Sequence, residues 1–186
     1  MTARSASHEP PAELLHECRA GDREALGRLF DCCKDRVYST ALHLTGDRAA
    51  AADVTQEVFL KVFARLSQFD SRSAFTTWLY RIVVNTAIDH QRASRRTVSI
   101  EEAMPDTPAP VVDQYARLER RRRIEAALAA LPDLLRAPVV LRHVEGLSYA
   151  EIAAALEISA GTVASRLSRA HAQLARDLAD LAPGEI

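Results

Sequence analysis

Residues Ser148 to Leu174 read SYAEIAAALEISAGTVASRLSRAHAQL, two helical segments joined by a tight turn. Ser148 and Glu151 have the S-x-x-E spacing of a capping box, which opens a short helix. Ile152, Ala153 and Leu156 supply its buried face. After a brief turn at Glu157 and Ile158, Ser159 can cap a second helix. On that helix Val163, Leu167, Ala170 and Leu174 recur as one apolar stripe. Thr162, Ser165, Arg166, Arg169 and Gln173 fall on a different face, with donors, two guanidinium forks and no carboxylate. Such a face suits base edges and phosphates in a major groove, so the segment reads as a helix-turn-helix. The competing reading is an ordinary helical hairpin with a solvated face. The capped short helix, the tight turn and the acid-free second helix together favour DNA.

The whole chain sets limits on this reading. Its 186 residues allow one large domain or two small ones. Hydrophobic residues make up 48%, enough for cores, and six glycines argue against a loop-rich β fold. With 24 basic and 25 acidic residues, the chain does not coat nucleic acid by bulk charge. Local charge matters more: Arg92, Arg95 and Arg96 cluster, and Arg120 to Arg123 run unbroken. From Ile124 onward five arginines face eight acidic residues. A stretch that acidic binds DNA poorly alone, which points to a partner that contributes affinity.

Cys18, Cys32 and Cys33 are odd in number, two of them adjacent, and fit neither a disulfide framework nor C-x-x-C metal spacing. Buried thiols in a reducing cytoplasm are the expectation. The opening MTARSASHEPP has no apolar core of a signal peptide, and no apolar run reaches membrane-spanning length. A soluble, cytoplasmic protein without membrane insertion, metal or cofactor is expected.

Two helical blocks flank a linker. Residues 11–96 are helical in pattern, with breaks at Gly21-Asp22, Gly46-Asp47 and Phe69 to Ser73. Residues 97–113, TVSIEEAMPDTPAPVVD, hold three prolines and scattered acids that disfavour regular structure, and read as a flexible tether. Helical periodicity resumes over 114–182, with breaks at Leu131-Pro132, Pro138, Gly146 and the turn before Ser159. The fold class is all-α, two small helical domains.

Two helices of the first block carry more than packing. DVTQEVFLKVFARL begins at Asp53, a candidate N-cap, and Val58, Phe59, Val62, Phe63 and Leu66 cluster on its core side. The opposite side shows Asp53, Gln56, Glu57, Leu60 and Lys61. Such charges usually mean a solvated face, but Leu60 among them points to docking of a partner protein. In SAFTTWLYRIVVNTAIDHQRASRR, a helix from about Ala74 to Ser94, the buried stripe is Phe75, Leu79, Ile82, Val83 and Thr86. Trp78, Arg81, Asn85, Ile88 and Arg92 line an adjacent face leading to Arg95 and Arg96. An aromatic, an amide and arginines together can stack on unpaired bases and hold phosphates. A Trp at helical spacing is also a common core residue.

Together these segments resemble the bacterial RNA polymerase sigma factors of the extracytoplasmic-function (ECF) group. The resemblance rests on D-x-x-Q-E-x-F at Asp53 to Phe59 and FTTWLYRIVVNTAIDHQR at Phe75 to Arg92. It continues with LPDLLRAPVVLRHVEGLSYAEIAAAL at Leu131 to Leu156 and GTVASRLSRAHAQL at Gly161 to Leu174. The four occur in the family's order and cover the chain from about Leu14 to Leu178.

The resemblance implies that the first block is region 2, which melts the promoter and recognises the −10 element. The second implied block is region 4, which reads the −35 element. Asp53, Gln56, Glu57, Leu60 and Lys61 would dock on the clamp helices of the largest core polymerase subunit, and region 4 on the flap of the second largest. Phe69, Asp70, Ser71, Arg72 and Ser73 would form the loop that captures a flipped base. Phe75, Trp78, Arg81, Asn85, Arg92, Arg95 and Arg96 would handle the −10 strand. Ser159, Thr162, Ala164, Ser165, Arg166 and Arg169 would meet the −35 element. Ala164 stands where many members carry Lys or Arg, and the loop's DSRS bears on the −10 base preference. An anti-sigma factor that buries the polymerase- and DNA-binding faces is the implied regulator.

Three rival readings are weaker. A regulator that dimerises on an operator needs a receiver or ligand domain, and the first block lacks βαβ alternation. An enzyme is disfavoured: the chain has no Gly-rich phosphate loop, H-E-x-x-H or G-x-S-x-G, and its six histidines show no metal spacing. A pure adaptor would not need the face from Thr162 to Arg169.

Overall fold

The computed structural model describes residues 9–69, 73–97 and 112–179, with the side chains of 95–97 and 112–117 outside that description. The described residues form α1 (Ala12–Arg19), α2 (Arg23–Thr45), α3 (Arg48–Arg65), α4 (Phe75–Thr97), α5 (Val112–Ala130), α6 (Asp133–His143), α7 (Tyr149–Leu156) and α8 (Ala160–Asp177). A 3₁₀ turn at Leu66–Gln68 follows α3, and no strand occurs among the described residues.

Local chemistry sets most helix ends. The Asp22 carboxylate accepts from the backbone N–H groups of Glu24 and Ala25 and so starts α2. Gly46, at φ 74°, ends it in the left-handed region and donates its N–H to the Leu42 carbonyl at 2.8 Å. Asp47 then caps α3 by accepting from Ala50 N–H at 2.7 Å.

That last cap corrects one expectation. Asp53 does not start a helix; it lies inside α3, because Asp47 and the run Arg48 to Ala52 nucleate the helix earlier. Nor does Pro138 interrupt the second block: α6 runs through it. A mid-helix proline forfeits one backbone hydrogen bond and crowds the preceding turn. Burial of Ala137, Pro138, Val139, Val140 and Leu141 outweighs that loss.

The linker boundaries also differ from the expected 97–113. Thr97 continues α4, while Val112 and Asp113 begin α5. Residues 98–111 lie outside the described residues.

The first block packs α1 to α4 around Leu29, Val37, Val54, Val58, Val62, Phe75 and Val83. In the second block, Leu131, Val140, Leu141, Ile152, Val163, Leu167 and Ala170 form the core. Ile152 is buried as expected on α7, but Ala155 joins it, while Ala153 and Leu156 are half-buried. The two blocks pack directly on each other, α4 against α7 and α2 against α6. Arg136 of α6 is buried at this junction and donates to the carbonyl oxygens of Leu44, Ala129 and Leu131. It thus serves the carbonyl-rich C-terminal ends of α2 and α5, where a cation is favoured.

Candidate nucleic-acid interface

The helix-turn-helix forms as its sequence directs. Ser148 Oγ accepts from Glu151 N–H, and Glu151 Oε2 accepts from Ser148 N–H at 2.7 Å, a reciprocal cap. At the turn, Glu157 takes φ 54°, and Ile158 N–H donates to the Ala153 carbonyl at 3.0 Å. A residue other than glycine is uncommon there. Ser159 Oγ then caps α8 by accepting from Thr162 N–H at 3.1 Å, and also pairs with the Thr162 hydroxyl.

On α8, Val163, Leu167 and Ala170 are buried and Leu174 is half-buried, as the apolar stripe requires. Ser159, Ala164, Ser165 and Arg169 are exposed, with Thr162, Arg166 and Gln173 half-buried beside them. Ser165 Oγ donates to the Thr162 carbonyl, and Arg169 Nε to the Ser165 carbonyl at 3.3 Å. The result is a firmly seated helix whose solvent side carries hydroxyls and guanidinium groups.

Behind this face His143 of α6 and His171 of α8 meet Nε2 to Nε2 at 2.9 Å. Burial, followed by the charges of His171 and Arg142, holds His143 below the usual imidazole range. Sequence spacing gave no sign of this pair, because its members lie 28 residues apart on different helices.

The α4 residues are less uniform. Phe69 and Phe75 are 5% and 1% exposed and pack edge-to-face with centroids 5.7 Å apart. Trp78 leans on both rings at 5.3 and 5.6 Å, and the Arg19 guanidinium lies over Phe69. Phe69 and Phe75 therefore shape the support beneath the surface and offer no open face to a base, because ring burial outweighs exposure in this apolar cluster. Trp78 is half-buried, and Ser73, Asn85 and Arg92 are exposed. Asp70, Ser71 and Arg72, and the side chains of Arg95 and Arg96, lie outside the described residues. Arg81 is engaged by the second block: its Nη2 donates to the Ala154 carbonyl at 2.9 Å.

Glu9, outside the expected first block, receives the N–H groups of Phe75 and Thr76 and caps α4. A cap from 66 residues upstream leaves no local signature in the sequence.

On α3 the expected division of faces appears. Val54, Val58, Phe59 and Val62 are buried, whereas Asp53, Gln56, Glu57 and Leu60 are exposed, Leu60 at 64%. Lys61 is half-buried and bridges Glu57 Oε1 at 2.7 Å and the Thr86 hydroxyl at 3.0 Å. Leu60 is thus an exposed apolar side chain framed by charged ones, which makes this side of α3 a candidate docking face.

Cys18 and Cys33 are buried, but Cys32 is exposed, against the expectation of three buried thiols. Burial, then the neighbouring Cys32, pushes the Cys33 thiol up to about 12, which keeps it protonated and inert.

A seated helix-turn-helix beside a second helical block is the architecture of a DNA-binding protein. Residues 29–97 match Sigma-70 region 2, and residues 121–174 match Sigma-70 region 4. The chain is 39% identical to the ECF RNA polymerase sigma factor SigE of Mycolicibacterium smegmatis, over 90% of this chain and 68% of that protein. It is 33% identical to the RNA polymerase sigma-H factor of Pseudomonas aeruginosa, over 94% of this chain and 97% of that one. Among solved structures it resembles CnrH in complex with the cytosolic domain of CnrY, with a TM-score of 0.70 and 28% identity, covering 90% and 97% of the two chains. This chain belongs to the ECF family of RNA polymerase sigma factors. Sigma factors bind core RNA polymerase and promoter DNA and act in transcription rather than as enzymes. No helix among the described residues is long and apolar enough to cross a membrane.

Proposed function

We propose that the exposed face of α3 carries this chain onto core RNA polymerase in the cytoplasm, and that α4 and α8 then engage the −10 and −35 elements. Two functional domains, 11–96 and 114–182, would divide this work. Asp53, Gln56, Glu57, Leu60 and Lys61 form the docking face for the polymerase clamp helices, and the second domain meets the flap. Trp78, Asn85 and Arg92, with Arg81 once released, hold the melted −10 strand. Extruding a base costs a few kcal/mol of unstacking, which stacking and phosphate contacts offset.

The observation that carries this reading is the exposed face of α8, where Arg169 and Ser165 flank half-buried Thr162 and Arg166. The segment from Ile124 onward is net acidic, so this face alone binds DNA weakly and core polymerase supplies the remaining affinity. CnrH, the structural relative, was solved in complex with the cytosolic domain of CnrY. A protein partner, an anti-sigma factor, is proposed as the regulator here.

Run-off transcription with purified core polymerase tests the reading. Promoter-specific transcripts are expected only when this chain is added; their absence with a folded protein overturns it.

A further inference from the structure

The −10 and −35 elements are centred about 25 base pairs apart, which is roughly 85 Å along B-DNA at ~3.4 Å per pair. In the structure α4 packs against α7 and α7 against α8, so the two reading helices, α4 and α8, are far too close to engage both elements at once.

The junction that holds them together is built, not incidental. Glu145, in the loop between α6 and α7, has a side chain only 6% exposed. Thr40 Oγ1 donates to its Oε1 at 2.6 Å, the Tyr80 hydroxyl donates to its Oε2, and Arg36 Nη2 lies 3.5 Å from Oε2. Arg36 also donates to the Tyr80 hydroxyl, so that oxygen both gives and receives. Burial, then the Glu145 charge, pushes the Tyr80 phenol well above its ordinary value and keeps it a donor. Thr40 and Arg36 lie on α2 and Tyr80 on α4, whereas Glu145 belongs to the second block. A buried carboxylate satisfied only by the opposite block is stable there and costly to strand.

The covering is one-sided. Arg81 is tied to the Ala154 carbonyl and to Glu157, while Ser159, Ser165 and Arg169 of α8 remain exposed.

We propose that the free chain is self-closed, with α7 and the turn after it tying up Arg81 of the −10 face of α4, and that Glu145 is the latch core polymerase must release. The −35 face stays open throughout, so closure withholds Arg81 and keeps the two reading faces from meeting their elements together. The inference rests on the sigma-factor reading only for what the covered face does once released. The α3 face is open in the closed chain, but meeting clamp and flap together needs the parted blocks; because that state is only fractionally populated, apparent affinity for core polymerase falls by that fraction.

The test labels the full chain at exposed Cys32 on α2 and at a cysteine introduced by Ser168→Cys on α8, and measures the distance between labels. Two variants are compared with the parent. Glu145→Ala removes the latch. Glu157→Gly removes the Arg81 bridge at a residue whose φ of 54° glycine adopts freely. Circular dichroism checks that both fold. The parent should give one short, narrow distance and Glu145→Ala a longer, broader one, with about tenfold tighter binding of core polymerase; Glu157→Gly should shift both in the same direction by less. Unchanged distances in both variants overturn the latch. An opened chain that binds polymerase no better overturns its inhibitory role. An opened chain that, like the parent, fails to bind polymerase at all refutes the proposed polymerase docking and leaves the closure standing.

Discussion

Arg81 Nη1 stands 3.1 Å from a Glu157 carboxylate oxygen, a bridge between α4 and the turn of the helix-turn-helix. With side chains 38% and 66% exposed, such a pair contributes at most about 1 kcal/mol. The Arg81 bridge is therefore a minor part of the junction beside the buried Glu145 cluster and the Arg136 contact to Leu44. Glu157 can reach Arg81 because its left-handed backbone turns the chain between α7 and α8. The turn that shapes the reading unit thus also joins it to the other block.

Polymerase docking should depend on the open face of α3. Glu57→Arg combined with Leu60→Glu reverses a charge and removes an exposed apolar contact without entering the core. The double variant is expected to fold normally by circular dichroism and to lose at least tenfold in a core-polymerase pull-down titration, about 1.4 kcal/mol. Undiminished binding by the folded variant would move docking elsewhere.

Promoter reading should divide between the two arginines of α8. Arg166, half-buried beside Thr162, is expected to contact a base, and exposed Arg169 a phosphate. Arg166→Ala should flatten discrimination at one −35 position by about 1–3 kcal/mol, whereas Arg169→Ala should weaken all sequences alike. Holoenzyme binding to a set of single-base −35 variants measures both. Wild-type ranking and strength in both variants would show that α8 does not read the promoter.

Ser148→Ala should destabilise the second block by about 1 kcal/mol, because it leaves the N–H of Glu151 without its cap. Thermal or urea unfolding followed by circular dichroism gives the value. A loss below a few tenths of a kcal/mol would mean that packing of Ile152 alone holds α7 in place.

Acid should weaken the α6–α8 contact. The fold lowers the His143 pKa from its ordinary 6.5, so the unfolded chain takes up that proton first. The stabilisation is complete above pH 6.5 and is lost as pH falls through the lower folded value. Between pH 7.5 and pH 5 the parent should lose more thermal stability than His143→Gln. Equal losses would exclude the His143–His171 pair as the cause.

How far the chain could be read in advance depended on where each residue's partners lie. The reciprocal cap of Ser148 and Glu151, the Ser159 cap and the Val163–Leu167–Ala170 stripe were legible because each is complete within one or two helical turns. The outward face of α3 was legible for the same reason: apolar periodicity assigns a core side and leaves Glu57 and Leu60 opposite. Asp53 misled because Asp47 stands six residues earlier, before a run of strong helix formers. Pro138 misled because its local cost is overridden by burial that sequence does not display.

By itself, then, the sequence determined the all-α class, the helix-turn-helix and the outward face of α3, since these rest on spacing within single helices. Tertiary structure alone decided how the blocks meet. Tyr80 and Val84 are buried on α4 outside the stripe that periodicity assigns to the core. Glu9 caps α4 from 66 residues away, and Arg136 serves Leu44 from 92. Glu145 reaches Tyr80 across 65 residues and Thr40 across 105. A buried polar group must find its partner somewhere, but nothing in local spacing says where; only the packing of one block on the other supplies that answer.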